Sequence, residues 1–513
     1  MRWFPLILRS RRCALAAAAA GILAGCASGP ALPAPSPGVG QSAFPDDSLD
    51  RFIHRVVERI PDLPGLAVVV VRDTGTVYLG AAGFADLESR RPAAPGTPYY
   101  LASSTKSFTA MAAAVLAARG RLDLDAPLSR YLPELHLPPD RPADSVTVRQ
   151  LLTHTMGLSN DAVVIRTAYT GEHSARALTA LLAGSRVTDR SFHYDNLGYV
   201  MASLVFERVA GRRWQDLLDG LVFEPLGMSR TTAYMSRARR WGVAVPYWAG
   251  AEARPRALPA KRDATMHAAG GVVSSAADLG RWLIANLAGG RVGGSQVLPA
   301  EAVREAHRLQ VRLPHDVAFG PFRRYGYGLG WYWSDYGGDT LLHHFGSYDG
   351  ARAHVSFMPD RRIGVAVLVN ASGPVAGVAD LVATYAYDLL LGKPGAAGGA
   401  DSLLSSLAER VSVAKQAIAA ERQRIAGRPS TLTRAAADYA WRYVSREVGE
   451  MDVGVAGGAL AVTLGPLAAR AEYFTRPDAV RVEFGPGRGE VIQFFPSARG
   501  VDSLGYEGYV FRR

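Results

Sequence analysis

The run Ser103-Ser104-Thr105-Lys106 carries the chain's most telling chemistry. A serine and a lysine three residues apart on a helix lie one turn from each other, so the amine can reach the hydroxyl. A neutral lysine in that place could take the proton of a serine attacking a carbonyl. Lysine is scarce here: among 57 Lys+Arg residues only Lys106, Lys261, Lys393 and Lys415 are lysines. A guanidinium stays charged and cannot act as a base, whereas an ammonium can be tuned by burial. A lone Ser-x-x-Lys is a weak motif, and three further segments give it weight. Phe192-His193-Tyr194-Asp195-Asn196-Leu197-Gly198-Tyr199 sets a tyrosine two residues before an asparagine at a loop-to-helix junction. His343-His344-Phe345-Gly346-Ser347 ends a strand, and Thr147 to Leu158 reads as a helix followed by a turn.

The elements that must position these groups follow from periodicity. Residues 48–60 read as an amphipathic helix, with Leu49, Phe52, Val56, Val57 and Ile60 at helical spacing. Gly65–Arg72 is a strongly apolar strand, Asp73-Thr74-Gly75 a turn, and Thr76 opens a second strand of the hairpin. Phe108–Ala118 reads as an alanine-rich buried helix with Ser103 at its N-terminal side. From about Asp123 to Tyr325 the pattern is helical, and from Tyr327 strands return, with Ile363–Asn370 as a buried central strand and 375–391 as a helix after it. The first and last parts therefore build one sheet around an inserted helical region. Lys393–Ala400 has linker composition, and Ser402–Ile425 reads as a polar spacer helix. From Leu432 short alternating strands form a small separate β domain, in which no metal-ligand spacing or convergent titratable cluster is visible.

The N-terminal residues read as a targeting signal. Arg2, Arg9, Arg11 and Arg12 precede an apolar stretch from Cys13 to Leu23, followed by Leu23-Ala24-Gly25-Cys26 and a Pro/Gly/Ser/Ala tether. A small-residue site ending in cysteine resembles the lipobox of bacterial lipoproteins, with Cys26 as the acylated residue; an ordinary signal peptide is the alternative. The apolar run is shorter than a bilayer span requires. Only Cys13 and Cys26 occur, so the exported part must be held by its core rather than by disulfides. The formal charge is +11, of which the four signal arginines supply four, and no basic run interleaved with aromatics points to nucleic acid.

In order and spacing the motifs resemble the serine β-lactamase and penicillin-binding-protein superfamily, in its class C β-lactamase, D-alanyl carboxypeptidase and esterase branch. The resemblance runs from about Ser48 to Leu391 and includes Glu224-Pro225-Leu226-Gly227-Met228 and the segment Gly270 to Leu279. It implies an α+β fold: an antiparallel sheet flanked by helices, with an inserted helical region. It also implies Ser103 as nucleophile, Lys106 as the first candidate base, and Tyr194 as the phenol that relays or accepts the proton. Which of Lys106 and Tyr194 is the base stays open. Asn196 would hold Lys106 and the substrate amide, His344 would take the first place of the strand motif, and Gly346 would leave room for substrate backbone. The backbone N–H groups of Ser103 and Ser347 would form the oxyanion hole. His154 reads as a structural hydrogen-bonder, and Ser104 and Ser107 as packing or capping residues.

Two departures stand out. Asp195 adds a carboxylate near Lys106, which favours the charged amine. His344 stands where dedicated β-lactamases carry lysine, and a histidine is only partly protonated at neutral pH. The reading is therefore an exported serine hydrolase acting through an acyl-enzyme on esters or D-amino-acid peptides, with no cofactor, metal or nucleic-acid partner. Its rivals are a β-lactamase and a penicillin- or muropeptide-binding sensor that acylates with little turnover. The expected organisation is a signal over 1–25, a tether over 26–47, the hydrolase over 48–393, a linker and spacer helix over 394–430, and a lipocalin-like β domain over 431–513. The cell envelope, through lipid on Cys26, is the expected location.

Overall fold

The computed structural model of the protein describes residues 41–42, 47–171, 174–498 and 500–513. The signal segment and Cys26 lie outside the described residues.

A single apolar run organises the larger unit. Strand β1 (Gly65–Arg72) is buried on both faces. Leu66, Val68 and Val70 enter one core, and Ala67, Val69 and Val71 enter the other. Two-sided burial explains its near-continuous valine sequence. Its hairpin partner β2 (Gly75–Asp86) extends to Asp86 because its second half is also buried. The other strands are β3 (Val311–Phe319), β4 (Phe322–Tyr327), β5 (Tyr332–Tyr336), β6 (Asp339–His343), β7 (Gly346–Tyr348), β8 (Ala351–Met358) and β9 (Ile363–Val369). The antiparallel order is β2-β1-β9-β8-β6-β5-β4-β3. Strand β7 follows β6 along the same edge of β8, so His344 and Phe345 sit at the break between them.

Helices cover both faces. Helix α1 (Ser48–Arg59) buries Leu49, Phe52, Ile53 and Val56 on one side. The opposite side carries α2 (Thr105–Ala118) and the inserted helices, including α3 (Val148–Leu152), α4 (Asp161–Ile165), α5 (Leu197–Ala210) and α6 (Ala276–Leu287). Helix α7 (Val378–Leu390) and helix α8 (Ala396–Ala426) join α1. The fold is thus the expected α+β arrangement, with corrections in detail. Residues 311–325, read as part of the helical region, fall in strands β3 and β4 and the turn between them. Strand β3 lies at the sheet edge with alternating exposure, so it lacks the apolar run that marks a buried strand. The linker-like residues 396–400 already belong to α8, which is more than a spacer. Its Leu404, Leu407 and Val411 are buried against the core, and Lys415 Nζ donates to Asp62 Oδ2 at 2.6 Å.

The C-terminal unit is one nine-stranded antiparallel sheet curled into a nearly closed barrel. It comprises β10 (Trp441–Ser445), β11 (Gly449–Ala456), β12 (Ala459–Leu464), β13 (Leu467–Arg470), β14 (Glu472–Tyr473), β15 (Ala479–Gly485), β16 (Arg488–Ser497), β17 (Gly500–Tyr506) and β18 (Tyr509–Arg512). Its core includes two residues of the larger unit: Ala162 and Ile165 of α4 pack among the barrel's side chains. Burying an isoleucine contributes about 2–3 kcal/mol. Tyr509 Oη accepts from Ala162 N at 2.9 Å, and Arg166 donates to the carbonyls of Glu447 and Arg446 at 2.5 and 3.0 Å. The barrel is therefore docked on helix α4 and the residues that follow it.

Candidate active site

The site is built around a sharp turn into α2. Ala102 has φ 46°, in the left-handed region that costs an L-residue about 1–2 kcal/mol. Residues Ala102–Ser104 form a 3-10 turn, and α2 begins at Thr105 rather than at Phe108, so Lys106 lies in its first turn. Short hydrogen bonds fix the turn. Ser104 Oγ donates to the His344 carbonyl at 2.6 Å, and Ser107 Oγ to the Ser104 carbonyl at 2.9 Å. Thr105 Oγ1 accepts from Val272 N at 2.9 Å, and Thr109 Oγ1 donates to Ala268 O at 2.7 Å. Ser104 and Ser107 are thus packing residues, as their sequence context indicates.

Lys106 is fully buried. Its Nζ lies 2.7 Å from Asn196 Oδ1, 2.9 Å from Ala269 O and 3.5 Å from Ser103 Oγ. Burial lowers its pKa from 10.5 to about 7, against the opposing field of Asp195. A neutral amine has two N–H bonds and one lone pair. Asn196 and Ala269 accept the two protons, which leaves the lone pair for the Ser103 hydroxyl.

The Tyr194 ring centroid is 4.8 Å from Lys106 Nζ, and its phenol is close enough to Ser103 for the serine hydroxyl to act on its pKa. Burial raises the phenol well above its ordinary range, with the Ser103 hydrogen bond acting the other way, so it is a neutral donor at physiological pH. Asn196 occupies the N-cap position of α5 without capping it with its side chain. Asp195 does that work: its Oδ1 accepts from Gly198 N at 3.2 Å, which frees the Asn196 amide for Lys106. Burial raises the Asp195 carboxyl to about 7, partly offset by those backbone donors and by Lys106. His154 accepts from Asp195 N at 3.3 Å through Nδ1, so Nε2 carries the proton and faces Tyr327 Oη at 3.3 Å. It braces the wall behind Tyr194, a structural task.

The strand motif meets the turn directly. A β-carbon on Gly346 would lie 1.9 Å from the Leu101 carbonyl oxygen, so only glycine fits that approach. Ser347 is exposed at the next position. His344 departs from expectation: it is buried, and burial holds it well below its ordinary pKa, with Lys106 adding to the effect. Its Nδ1 donates to Phe345 O at 3.1 Å, which leaves Nε2 as an acceptor without a protein partner. His344 is therefore neutral and supplies no positive charge.

Several contributors had no signal in the sequence. The Ala269 carbonyl acts through backbone alone. Gly330 allows the β4–β5 turn to touch α2, since a β-carbon there would lie 2.6 Å from Lys106 O. Tyr332 stacks on Tyr194 with centroids 6.0 Å apart, and Tyr327 stands behind it. The barrel also brings a titratable cluster toward the site: Arg488 Nη2 lies 3.2 Å from Asp349 Oδ1 and Nη1 donates to Tyr169 Oη at 3.1 Å. Asp349 is two residues beyond Ser347. Arg488 of β16 meets Asp349 and Tyr169 only across the two units, which strand patterning within one of them could not reveal.

A family model described as Beta-lactamase matches residues 53–388. Esterase EstB of Burkholderia gladioli is 35% identical over 208 residues, covering 37% of this chain and 51% of that protein. Protein flp of Staphylococcus aureus (strain N315) is 26% identical over 188 residues, covering 36% of this chain and 37% of that protein. The chain spans about half or less of the length of these two curated relatives. The octameric penicillin-binding protein homologue from Pyrococcus abyssi superposes with a TM-score of 0.58 at 25% identity, over 91% of this chain and 99% of that one.

Proposed function

The chain belongs to the beta-lactamase family of serine hydrolases, and from that premise we propose that it cleaves esters or D-amino-acid amides through an acyl-enzyme on Ser103. The observation that carries the reading is the buried Lys106 amine, with two acceptors for its N–H bonds and its lone pair left toward Ser103 Oγ. Similarity to an esterase supports the substrate class.

In this reading the neutral Lys106 takes the Ser103 proton as Oγ bonds to the substrate carbonyl carbon. The backbone N–H groups of Ser103 and Ser347 receive the developing oxyanion. Tyr194, a neutral phenol, gives its proton to the departing oxygen or nitrogen as the C–O or C–N bond breaks and takes one back from the Lys106 ammonium, so both groups return to their starting state. Water then attacks the acyl carbon and gives its proton to Lys106, and the bond from the acyl carbon to Ser103 Oγ breaks as the relay returns a proton to Oγ and the acid is released. Lys106 is the base because its pKa lies near neutrality while that of Tyr194 is driven far above it.

A neutral His344 disfavours a dedicated β-lactamase, which in this reading would need a cation at that place. The test is a turnover panel of short-chain p-nitrophenyl esters, D-amino-acid amides and a chromogenic cephalosporin, each beside Ser103→Ala. Ester or amide turnover abolished by that substitution, with fluorophosphonate attached at Ser103, is expected. A folded wild-type protein that neither labels nor turns over would overturn the proposal, and a single burst on cephalosporin without esterolysis would favour a sensor.

A further inference from the structure

Of the chain's four lysines, three have an evident task. Lys106 belongs to the reactive cluster, while Lys393 and Lys415 pair with Asp388 and Asp62 at 2.7 and 2.6 Å. Lys261 is the fourth. It is 7% exposed, just ahead of a 3-10 turn over Asp263–Thr265, and among the described residues it forms no ion pair. Asp349, whose field it feels, is taken by Arg488 at 3.2 Å. Three tyrosines surround the amine instead. Nζ lies 3.8 Å from the ring centroid of Tyr348, 5.4 Å from that of Tyr169 and 5.9 Å from that of Tyr100. The rings also meet one another: Tyr348 stands edge-on to Tyr100 at 5.6 Å and lies 5.8 Å from Tyr169. Nζ completes the cage by donating to the Ala168 carbonyl. Ring quadrupoles attract a cation most strongly where water is excluded, as it is here.

The cage reaches the reacting groups through main chain. Tyr348 directly follows Ser347, whose N–H is the second oxyanion donor of the reading above, and Tyr100 leads into the turn at Ala102. Strand β7 has only three residues and pairs with β8 along one edge. At its start Gly346 abuts the Leu101 carbonyl and Ser104 N, so that end cannot move toward the nucleophile. At its other end the hold is on the Tyr348 ring, through Lys261 and Tyr100. Ser347 lies between these two anchors. Ala168 and Tyr169 belong to the turn Arg166–Thr170, whose Arg166 donates to the barrel carbonyls. Lys261 therefore ties the barrel-docking turn to β7. Burial pulls its pKa from 10.5 to about 7, with Asp349 acting the other way, and either form of the amine keeps an N–H on Ala168 O.

We infer that Lys261 is a positioning residue for the oxyanion hole: by gripping the Tyr348 ring from the Ala168 turn, it holds the Ser347 N–H where the developing oxyanion will need it. The inference rests on the hydrolase reading above and deepens it. A donor fixed before the reaction needs no reorganisation during it, so a small retreat of β7 should appear in turnover rather than in substrate binding. Lys261 touches no substrate and moves no proton in this role.

The test uses the full chain and a short-chain p-nitrophenyl ester, with active sites counted by fluorophosphonate labelling carried to completion. Lys261→Met keeps the length of the side chain and removes the grip. Its kcat should fall about 10- to 100-fold with KM held within about threefold, because both half-reactions use the same hole. Lys261→Arg keeps a donor and a cation for the tyrosine faces, and should recover most of that loss. Tyr348→Leu removes the face and should lose about as much as Lys261→Met. The double variant should lose no more than either single one, since both break one contact. A wild-type kcat in Lys261→Met, a loss carried by KM, no recovery in Lys261→Arg, or losses that multiply in the double variant would overturn the inference. Should Lys261→Met fold poorly, Tyr348→Leu decides by itself: a kcat within about threefold of wild type refutes the claim. Labelling of Ser103 separates the two levels. Wild type that labels and turns over beside an equally active Lys261→Met defeats only the positioning role, whereas wild type that neither labels nor turns over defeats the hydrolase reading and this inference with it.

Discussion

On the proposed mechanism the acid limb of the pH–rate profile should sit near pH 7, because its base is an amine made acidic by burial. An unperturbed lysine with a pKa of 10.5 would be neutral in only about 1 molecule in 3,000 at pH 7, whereas one at about 7 is neutral in about half. The difference between those values corresponds to about 5 kcal/mol of preference for the neutral form. For a neutral ester, kcat/KM reports the free enzyme, so it should fall tenfold per unit below the limb and stand about a hundredfold under its plateau at pH 5. Asp195, itself raised to about 7, is coupled to Lys106, and the observed limb belongs to the pair until a variant separates them. Asp195→Asn removes an anion that favours the ammonium. The sign is therefore downward: the limb should move to lower pH by about one unit or less, with the plateau kept. Lys106→Arg, which cannot deprotonate, should lose about a thousandfold or more at every pH. The assay is ester hydrolysis from pH 5 to 9 at constant ionic strength, with folding checked by circular dichroism at each end. A limb that vanishes in Asp195→Asn would assign it to the aspartate and refute the assignment of Lys106 as base.

Two further outcomes probe the scaffold. Gly346→Ala puts a methyl group 1.9 Å from Leu101 O and 3.2 Å from Ser104 N, so β7 must retreat from the nucleophile turn; we expect about 1–3 kcal/mol of destabilisation in thermal melts and about a hundredfold lower kcat/KM, and unchanged kinetics would count against the close approach. Arg488→Met leaves Asp349 half-buried beside β7 without its barrel partner; a loss of about 1–3 kcal/mol in urea unfolding together with reduced turnover is expected, while Arg442→Met, at an exposed ion pair with Asp452, should leave activity unchanged.

The gathering of Ser103, Lys106, Tyr194 and Asn196 was legible because their key spacings are local. Ser103 and Lys106 meet within one helical turn, and Tyr194 and Asn196 flank a helix start, so identity and spacing nearly suffice. Strand β1 was equally legible, since burial on both faces writes itself as an unbroken apolar run. Strands β3 and β4 were not, because an edge strand with one exposed face carries Pro314, His315 and Asp316 without any such run. The lowered pKa of Lys106 and the neutrality of His344 were equally hidden. Each depends on what distant segments bring to the same place: Ala269 and Asn196 around Lys106, and the rings of Tyr194, Tyr327 and Tyr332 around His344. Residue type and spacing along one turn name the groups able to react. Their charge states are set by the packed fold, because desolvation and Coulomb fields act through space and depend on neighbours that the order of residues does not place.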